Sequence, residues 1–462
     1  MTSLWDSLTE SGGPIPGAFH GIDRSVRLAS LSAATALDVP PGTLRGRSAL
    51  IATKCQLAAA LAIVELDGLV RRMVLCPPDL SATHLAFVAS VAGADIVVHD
   101  AAEPIEVGGA ITNVRASPEL RAGRIDRRST EPTEWVLLTS GTTGAPKLVA
   151  HSLPSLAGPL VDGSTRDSIG AWSTFYDIRR YGGLQIYLRA VLGRASLVLS
   201  CANEPTEAFL ARVGRAGVTH ISGTPSHWRR ALMSGATTLI DPKYVRLSGE
   251  IADQAILDRL RDAFPRAQIA HAFASTEAGV AFDVTDGLAG FPARLIGDVA
   301  APATMKVEDG TLRIRSRRTA ARYLGSEAAP LSADDGFVDT GDMVELRGDR
   351  YHFAGRKGGV INVGGLKVHP EEVEAVINAD SRVRMSLVRA RHNPITGAVV
   401  VADVVLIDSA APAAQAAVVD QLKRELLDAC RQALPAHKVP AMLRIVPTLE
   451  LTAAGKLVRP RA

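Results

Sequence analysis

The 462 residues are 47% apolar and 21% charged, so the chain has ample apolar surface to build a core, and a mostly disordered protein is excluded. Lys and Arg number 51 and Asp and Glu number 48, which leaves a net charge of +3. A balance this close to zero argues against a dedicated nucleic-acid-binding protein. The length predicts about three domains or subdomains.

The chain also lacks the sequence marks of a membrane or secreted protein. The apolar run that begins at Gln56 ends at Glu65, well short of the roughly 20 residues that cross a bilayer. Residues 1–13 contain no long apolar segment of the kind that a secretory signal needs. The widely spaced cysteines predict reduced, buried thiols and a cytoplasmic location rather than a disulfide framework or a zinc site. They are Cys55, Cys76, Cys201 and Cys430.

Strand-like and helix-like segments alternate from residue 45 to residue 99, which is typical of parallel βαβ units. Helices are predicted at 56–66 and at 81–91, and Ser81 is the expected cap of the second. Short strands rich in β-branched residues are predicted along the first 275 residues, at 72–76, 95–98, 135–139, 196–199, 218–222, 245–248 and 268–273.

The pattern changes after Gly290, where short strands separated by Gly and Asp predict a small antiparallel or mixed unit. These strands are expected at 305–307, 311–314, 344–346 and 351–353. A second change follows residue 355, with helices predicted at 370–379 and 414–433 and strands at 386–390 and 398–406. The predicted fold is therefore α/β. A large N-terminal domain of parallel βαβ layers with a small β-unit, 1–354, precedes a small α+β C-terminal domain, 355–462.

The most informative segment follows the apolar strand at 136–139. It is a loop of small and hydroxylic residues that ends in a lysine, namely Thr139, Ser140, Gly141, Thr142, Thr143, Gly144 and Lys147. Glycines let backbone N–H groups approach an anion closely, and the hydroxyls and the lysine add donors and positive charge. The spacing differs from that of the Walker P-loop. The segment predicts a polyphosphate cradle, and the alternative is a solvated, flexible linker.

In its motifs the sequence resembles the adenylate-forming superfamily of acyl- and aryl-CoA ligases, luciferases and peptide-synthetase adenylation domains, and it is closest to the acyl-CoA ligase-like members. The segment 139–147 resembles the phosphate-binding signature of that family, and 273–277 resembles its Tyr-Gly-x-Thr-Glu motif. The segment 338–342 is similar to its Thr-Gly-Asp motif, 355–374 to its hinge motif and 451–456 to its C-terminal lysine motif. The five motifs occur in the family's order.

The resemblance implies an enzyme that activates a carboxylic acid with ATP and Mg²⁺ to an acyl-adenylate. It then implies transfer of the acyl group to CoA or to the phosphopantetheine of an acyl carrier protein. Because two anions must meet in the first step, positioning and charge neutralisation are expected to supply most of the catalysis. The C-terminal domain is expected to be mobile, with a hinge near 356–358, where Gly358 and Gly359 offer backbone freedom.

Nucleotide-binding roles follow from the same resemblance. The loop residues with Thr139 and Lys147 would hold the β- and γ-phosphates, Glu277 would bind Mg²⁺ and Thr276 would donate to the α-phosphate. Asp342 would accept hydrogen bonds from the ribose hydroxyls, and Arg356 would reach the ribose or a phosphate. The adenine would lie against Phe273, Ala274 and Ser275 and against Ser248, Gly249 and Glu250. The alternative for Phe273 is a purely structural role as a core aromatic.

Two lysines and two glycines are assigned to the steps that follow binding. Lys456 would move in to neutralise charge as the adenylate forms, and Lys357 lies at the hinge position. Gly364 and Gly365 would line the tunnel for the incoming thiol.

The acyl pocket is expected in the wall formed by 173–185 and 220–225. The residues assigned to it are Tyr176, Asp177, Tyr181, Gly182, Ser222 and Gly223. The small residues, together with Gly183, predict room for an aryl or extended acyl group. A buried carboxylate needs a partner, so Asp177 pairs either with a substrate amine or with Arg179 or Arg180, and the internal pairing is preferred.

The alternatives are an amino-acid or β-amino-acid adenylating enzyme that loads a carrier protein, and a catalytically silent nucleotide-binding or structural relative. Retention of Lys147 and Lys456 argues against the silent relative.

Overall fold

The computed structural model describes residues 3–9, 15–123, 129–139, 145–158, 170–325, 330–393, 397–407, 416–452 and 456–458. The predicted α/β class is confirmed: two eight-stranded sheets and a five-stranded sheet form the large N-terminal part, and two small sheets with two helices form the C-terminal part.

The first eight-stranded sheet is parallel in its centre and antiparallel at both edges. In spatial order its strands are Gly279–Val284, Gln268–Ser275, Tyr244–Ser248, Val218–Gly223, Ala171–Thr174, Ser196–Leu199, Ala18–His20 and Ser25–Arg27. The helices Thr206–Arg215, Pro225–Met233 and Gln254–Ala263 each bury an apolar face in one core with strands of this sheet.

The second eight-stranded sheet is built in the same way, with parallel central strands. Its spatial order is Arg322–Leu324, Lys147–Ser152, Glu134–Thr139, Arg72–Leu75, Ser48–Ile51, Ile96–His99, Thr112–Ala122 and Ala34–Leu37. The helix Ala82–Ala92 packs on one face of the sheet. Ser81 caps that helix as predicted, because its side chain accepts a hydrogen bond from the backbone of His84.

Two helices, Gln56–Leu66 and Tyr181–Leu192, share a core with residues of both large sheets. Every residue of Gln56–Leu66 is buried, which fits a helix that is apolar on all sides. Shorter helices are Leu4–Thr9 and Leu153–Ala157. This shared core fixes the two sheets against each other.

The five-stranded sheet is antiparallel, as the sequence predicted for the region after residue 290. Its order is Phe291–Pro292, Arg350–Arg356, Val338–Arg347, Thr311–Ser316 and Ala303–Glu308. The pairing with Val338–Arg347 continues to Arg356, after which a short 3₁₀ helix, Lys357–Gly359, leads into the C-terminal part. We therefore propose that the division of the chain lies just after Arg356.

The C-terminal part has its own apolar core. A hairpin of Ile361–Val363 and Leu366–Val368 precedes the helix Pro370–Asn378. A three-stranded sheet of Val383–Asn393, Gly397–Leu406 and Met442–Ile445 packs with the helix Ala416–Ala433. The two helices and the two longer strands are those that the sequence predicted, apart from residues 414 and 415, which lie outside the described residues. The hairpin and the strand Met442–Ile445 were not predicted.

The prediction that all four cysteines are buried is wrong for two of them. Cys76 and Cys430 are buried, whereas Cys55 and Cys201 are exposed. Both exposed residues follow the ends of sheet strands, at the start of a helix and in a connecting turn, where no layer covers them. Among the helices that the structure describes, none combines the length and apolar character required to cross a membrane.

Asp67 ends the buried helix Gln56–Leu66 and is itself buried. Its carboxylate accepts hydrogen bonds from the backbone N–H of Leu4 at 2.8 Å and from the indole N–H of Trp135 at 3.0 Å. Burial raises the pKa of Asp67 to about 7, although both hydrogen bonds oppose that shift. The folded state thus holds this proton more tightly than the unfolded state, so stability is lost as the pH rises from 4 through 7.

We expect Asp67→Asn, which has no proton to lose, to remove this pH dependence. The free energy of unfolding of the wild type relative to that of the variant should fall between pH 4 and pH 8, by about 2–4 kcal/mol. Thermal denaturation across that range is the measurement. Asp241→Asn is the control, because Asp241 pairs with Arg266 on the surface. A wild-type advantage that stays constant with pH would contradict the assignment.

Candidate active site

A cleft of about 1720 Å³ opens between the large N-terminal part and the C-terminal part. Its wall includes residues from the ends of sheet strands, from the segment after Arg356 and from the chain near residue 456. The predicted site residues that line it are Gly249, Glu250, Phe273, Ala274, Asp342, Arg356, Lys357 and Lys456. Residues that are distant in sequence are thus brought together as the resemblance implied.

Asp342 and Arg356 face each other in neighbouring strands of the five-stranded sheet. The Nε of Arg356 donates to the carboxylate of Asp342 at 3.0 Å. Burial raises the pKa of Asp342, and the charge of Arg356 opposes that shift. In turn the Asp342 carboxylate, aided by Glu277, raises the pKa of Arg356. The pair therefore presents a carboxylate that can accept hydrogen bonds beside a fixed positive charge.

The backbone around Asp342 is held by the preceding threonine. The hydroxyl of Thr340 donates to the carbonyl of Leu312 at 2.7 Å and accepts the backbone N–H of Asp342 at 3.1 Å. Gly341 between them has a φ of 67°, a left-handed conformation that favours glycine. The Thr-Gly-Asp order thus places the carboxylate of Asp342 at the cleft wall.

Lys456 reaches the large part of the molecule from the far end of the chain. Its turn is closed by the backbone N–H of Thr452, which donates to the carbonyl of Lys456 at 2.7 Å, and by the Lys456 N–H, which donates to the hydroxyl of Thr452 at 3.1 Å. The next backbone N–H, that of Leu457, donates to Glu250 at 3.2 Å. The C-terminal lysine segment is therefore docked against the strand end at 248–250.

Gly249 makes room for that lysine. It has a φ of 84°, and a Cβ built on it would lie 3.3 Å from the Cε and 3.7 Å from the Nζ of Lys456. Glu250 beside it accepts hydrogen bonds from the backbone and the hydroxyl of Ser226. Desolvation lowers the pKa of Lys456, while the Glu250 carboxylate opposes the shift. The Lys456 ammonium thus lies in the cleft close to Glu250, a carboxylate that already accepts hydrogen bonds from Ser226 and Leu457.

The sequence left two interpretations of Phe273 open, a wall of the adenine site and an ordinary core aromatic, and its position fits both. It lines the cleft, and its ring stacks on Phe353 with centroids 4.9 Å apart and planes 16° apart. A second, looser contact joins it to Phe282 at 6.1 Å. Packing against Phe353 leaves the ring of Phe273 well fixed at the cleft wall, where a planar base could lie.

Glu277, the predicted magnesium ligand, lies in a second cluster centred on the turn after the strand Gln268–Ser275. Its Oε1 accepts hydrogen bonds from the hydroxyl of Thr139 at 3.4 Å and from that of Tyr323 at 3.3 Å. The ammonium of Lys147 lies 5.1 Å from the centre of the Tyr323 ring, a cation–π contact. Of the two ends of the phosphate-loop segment, Thr139 thus contacts Glu277 directly and Lys147 contacts it through the ring of Tyr323.

The two strands that flank that loop are paired in an antiparallel manner. Thr139 closes one strand and Lys147 opens the next, and the two residues are directly paired. The strand Lys147–Ser152 was not predicted from the sequence. Ser140, Gly141, Thr142, Thr143 and Gly144 lie outside the described residues. The pairing nevertheless places the Lys147 ammonium and the Thr139 hydroxyl at the same edge as Glu277.

Thr276 is held through its backbone. The Nε2 of His151 donates to the carbonyl of Thr276 at 2.8 Å. Burial lowers the pKa of His151 to about 4, so the ring is neutral, and its Nδ1 accepts from Ser155 at 3.2 Å. Sequence reasoning missed both His151 and Tyr323. Nothing in one sequence marks them, because both contacts join residues far apart in the chain. Tyr323 reaches Glu277 from the strand Arg322–Leu324, and His151 reaches Thr276 from the strand Lys147–Ser152.

The predicted acyl pocket is more closely packed than its small residues suggested. A Cβ on Gly183 would lie 2.2 Å from the carbonyl oxygen of Asp177, and one on Gly223 would lie 2.7 Å from the ring of Phe175. Backbone and an aromatic ring thus fill the space that a side chain would take at Gly183 and Gly223, and the acyl pocket itself stays a prediction. Gly182 lies against the ring of Tyr176, with its built Cβ 3.5 Å away.

The other pocket residues are buried. The hydroxyl of Tyr176 donates to the carbonyl of Ser248 at 2.7 Å, so Ser248 lies behind the cleft wall rather than on it. Ser222 and Tyr181 are buried as well, and the ring of Tyr181 lies 6.0 Å from that of His151. Ser275 accepts the N–H of Ala278 at 2.9 Å and so shapes the turn before Glu277.

Asp177 is paired inside the protein. The Nε of Arg179 donates to one carboxylate oxygen at 2.8 Å and the Nη2 donates to the other at 2.6 Å. Arg179 is completely buried and also donates to the carbonyl of Thr53. Arg180 pairs with Asp79 instead. The geometry is that of the internal pairing, and it uses both oxygens that a substrate ammonium would need.

Gly364 and Gly365 form the tip of the hairpin Ile361–Val363/Leu366–Val368. Their φ angles are 59° and 89°, as a two-residue hairpin turn with two left-handed residues requires. The turn geometry alone accounts for both glycines in this arrangement of the chain. Neither is among the residues that line the cleft.

The two-part architecture and the cleft between the parts define a protein of the adenylate-forming class. The chain belongs to the AMP-binding enzyme family: the family model matches residues 55–319, and the model of the AMP-binding enzyme C-terminal domain matches residues 372–456.

Individual relatives agree with this assignment. The chain is 26% identical over 384 residues to the p-hydroxybenzoic acid–AMP ligase FadD22 of Mycobacterium tuberculosis, covering 78% of this chain and 53% of that protein. It is 28% identical over 341 residues to the 2-succinylbenzoate–CoA ligase of Listeria innocua, covering 71% and 69%. The chain thus spans about half the length of FadD22.

Solved structures share the fold. The o-succinylbenzoate CoA synthetase MenE of Bacillus subtilis, in complex with the acyl-adenylate intermediate OSB-AMP, superposes with a TM-score of 0.76 at 20% identity, covering 98% of this chain and 96% of that one. ATP-bound MatB of Rhodopseudomonas palustris gives 0.77 at 18% identity, with 98% and 96% covered.

The Asp177–Arg179 pair gives a direct test of the pocket geometry. We expect Arg179→Ala to lower the free energy of unfolding by about 3–5 kcal/mol, because it leaves a carboxylate in the interior without its partner. Arg180→Ala, which breaks the more exposed pair with Asp79, should cost about 1 kcal/mol or less. Chemical denaturation of both variants is the measurement. Equal, small losses would show that Asp177 does not depend on Arg179.

Proposed function

We propose that this chain activates a small carboxylic acid with ATP and Mg²⁺ to an acyl-adenylate, and then forms a thioester with CoA or with the phosphopantetheine of a carrier protein. Membership of the AMP-binding enzyme family supports the first step. Two relatives are named as ligases of aryl acids, one as an AMP ligase and the other as a CoA ligase. An aryl acid is therefore the favoured substrate class.

The observation that carries the proposal is the docked position of Lys456. Its ammonium lies beside Gly249, in the same cleft as Asp342 and Arg356. A carboxylate that attacks the α-phosphorus of ATP brings negative charge toward negative charge. A cation placed in the cleft before the reaction stabilises the negative charge that develops there.

The other cleft residues fit the nucleotide. The Asp342 carboxylate can accept hydrogen bonds from ribose hydroxyls, and Arg356, which donates to that carboxylate, can present its own charge to a phosphate. Lys147 and Thr139 lie at the base of the loop that would hold the outer phosphates. The ring of Phe273 offers a flat surface for the base.

The donors around Glu277 fit Mg²⁺. Within the described ranges no three His, Cys, Asp or Glu side chains form a metal cage. Mg²⁺ typically takes only one or two carboxylates and completes its shell with water and substrate phosphates. Glu277 supplies one carboxylate, positioned by the hydroxyls of Thr139 and Tyr323. When bound, the ion would neutralise charge on the phosphates.

Asp177 argues against the amine-substrate alternative. Both of its carboxylate oxygens are already bound to a buried guanidinium. An amino-acid substrate would have to displace Arg179 from a site where it has no access to water. The acid without an amine is thus the better fit.

Pyrophosphate release over a panel of carboxylic acids tests the proposal. We expect release that depends on one class of acid, with aryl acids such as 4-hydroxybenzoate and 2-succinylbenzoate ahead of aliphatic acids and amino acids. Thioester formation is then measured separately with CoA and with carrier proteins. No acid-dependent release across the panel would reject the proposed activity.

Lys456→Ala should lower the rate of adenylate formation by about 10²–10³-fold, as loss of a preorganised charge at a reacting centre does. Thioester formation from a supplied acyl-adenylate should change little, because that step does not bring the carboxylate to ATP. Single-turnover assays of the two half-reactions give the comparison.

Lys423→Ala is the matched control for this variant, since Lys423 pairs with Asp420 on the C-terminal helix. It should leave both half-reactions intact. Equal loss of both half-reactions in Lys456→Ala would argue against the proposed role of Lys456.

A further inference from the structure

A second pocket, of about 330 Å³, lies where the C-terminal part docks on the large part. The helix Pro225–Met233 supplies Arg230 to its wall, and the strand Val383–Asn393 supplies Arg384. The remaining lining residues are Met385, Val405, Thr448, Leu449 and Leu451. Two guanidinium groups and one hydroxyl therefore face an otherwise apolar pocket, and no carboxylate occurs among its described lining residues.

Neither arginine has a counter-ion in the part of the chain that the structure describes. Within the described ranges, no hydrogen bond or ion pair involves the side chain of Arg230 or Arg384, and the Nε of Arg384 is buried without a partner. Their neighbours differ. Arg229 pairs with Asp253, and Arg382 pairs with Asp380 and Glu425. The nearby Arg229 and Arg382 thus have carboxylate partners, whereas Arg230 and Arg384 face the pocket.

The guanidinium groups of Arg230 and Arg384 repel each other in this pocket. Burial lowers the pKa of Arg230 and of Arg384, and the positive charge of Arg230 lowers that of Arg384 further. Like charges brought together in a partly desolvated place destabilise the docked arrangement unless an anion lies between them. The guanidinium group suits a tetrahedral oxyanion, because it donates two parallel hydrogen bonds to adjacent oxygens.

We propose that this pocket binds an oxyanion of the phosphate class, held between the guanidinium groups of Arg230 and Arg384 with the hydroxyl of Thr448 as a further donor. The pocket is separate from the cleft that holds Lys456, and the residues that line the two include only Met385 in common. Inorganic phosphate and pyrophosphate share the required chemistry.

Binding here is linked to docking. Because one arginine comes from each part of the chain, the pocket is complete only while the two parts are docked, and an anion in it stabilises that arrangement by mass action. The same arrangement keeps Lys456 against Gly249. The anion therefore favours the conformation in which the lysine is docked.

Thermal denaturation with added anion tests the site without using activity. We expect phosphate to raise the melting temperature of the wild type by about 1–4 °C over chloride at equal ionic strength. Arg230→Gln and Arg384→Gln should lose that increment. They should also melt at a higher temperature than the wild type in chloride, because the repulsion is gone. Arg431→Gln, which removes a surface arginine paired with Asp428, should keep the increment.

Lys147→Ala serves as a second control, since phosphate could also bind at the nucleotide site. The increment should persist in that variant. A phosphate increment that survives in Arg230→Gln and Arg384→Gln would overturn the proposal, as would its absence from Lys147→Ala. If the arginine variants do not fold, calorimetric titration of Lys147→Ala with phosphate decides the matter, and absence of binding overturns it. Parallel titrations with pyrophosphate show which of the two ions binds more tightly, and failure of the proposed acid activation would leave these results unchanged.

Discussion

The site depends on one contact between distant parts of the chain, the docking of the segment around Lys456 on the strand end at 248–250. The hydrogen bond from the Leu457 N–H to Glu250 and the absence of a side chain at Gly249 together allow the lysine to enter the cleft. A site that must join two anions needs cations whose positions are fixed before the reaction. Here one of these cations arrives only when the C-terminal part is docked.

The rest of the fold supports that contact by holding the opposite wall still. The two large sheets share a core with a helix buried on every side, so the ends of their strands keep fixed positions. Gly249 and Glu250 follow one such strand, and Glu277 follows another. Asp342 and Arg356 are set by pairing within the antiparallel sheet. The large part is thus the rigid wall, and the docked C-terminal part completes the site.

The sequence could predict the elements and the motif residues, because each depends on local order. Asp342 follows a threonine and a glycine whose conformations place it, and the backbone of Lys456 bonds to Thr452, four positions earlier. It could not predict Tyr323 or His151. Tyr323 reaches Glu277 across 46 positions, through a strand pairing that leaves no local mark. The close packing at Gly223 could not be predicted for a related reason: it depends on where the ring of Phe175 lies.

Arginine residues occur in three different electrostatic settings in this chain. Arg179 is buried and closed by the carboxylate of Asp177, so it fixes a wall. Arg356 is paired with Asp342 and faces the cleft, so its charge is both placed and available. Arg230 and Arg384 are half-buried and have no partner among the described residues, so an anion between them would stabilise the docked state. Because Arg230 and Arg384 lie on opposite sides of the contact between the two parts, an anion bound between them would stabilise docking. Through docking, the same anion would also favour the position of Lys456 in the cleft.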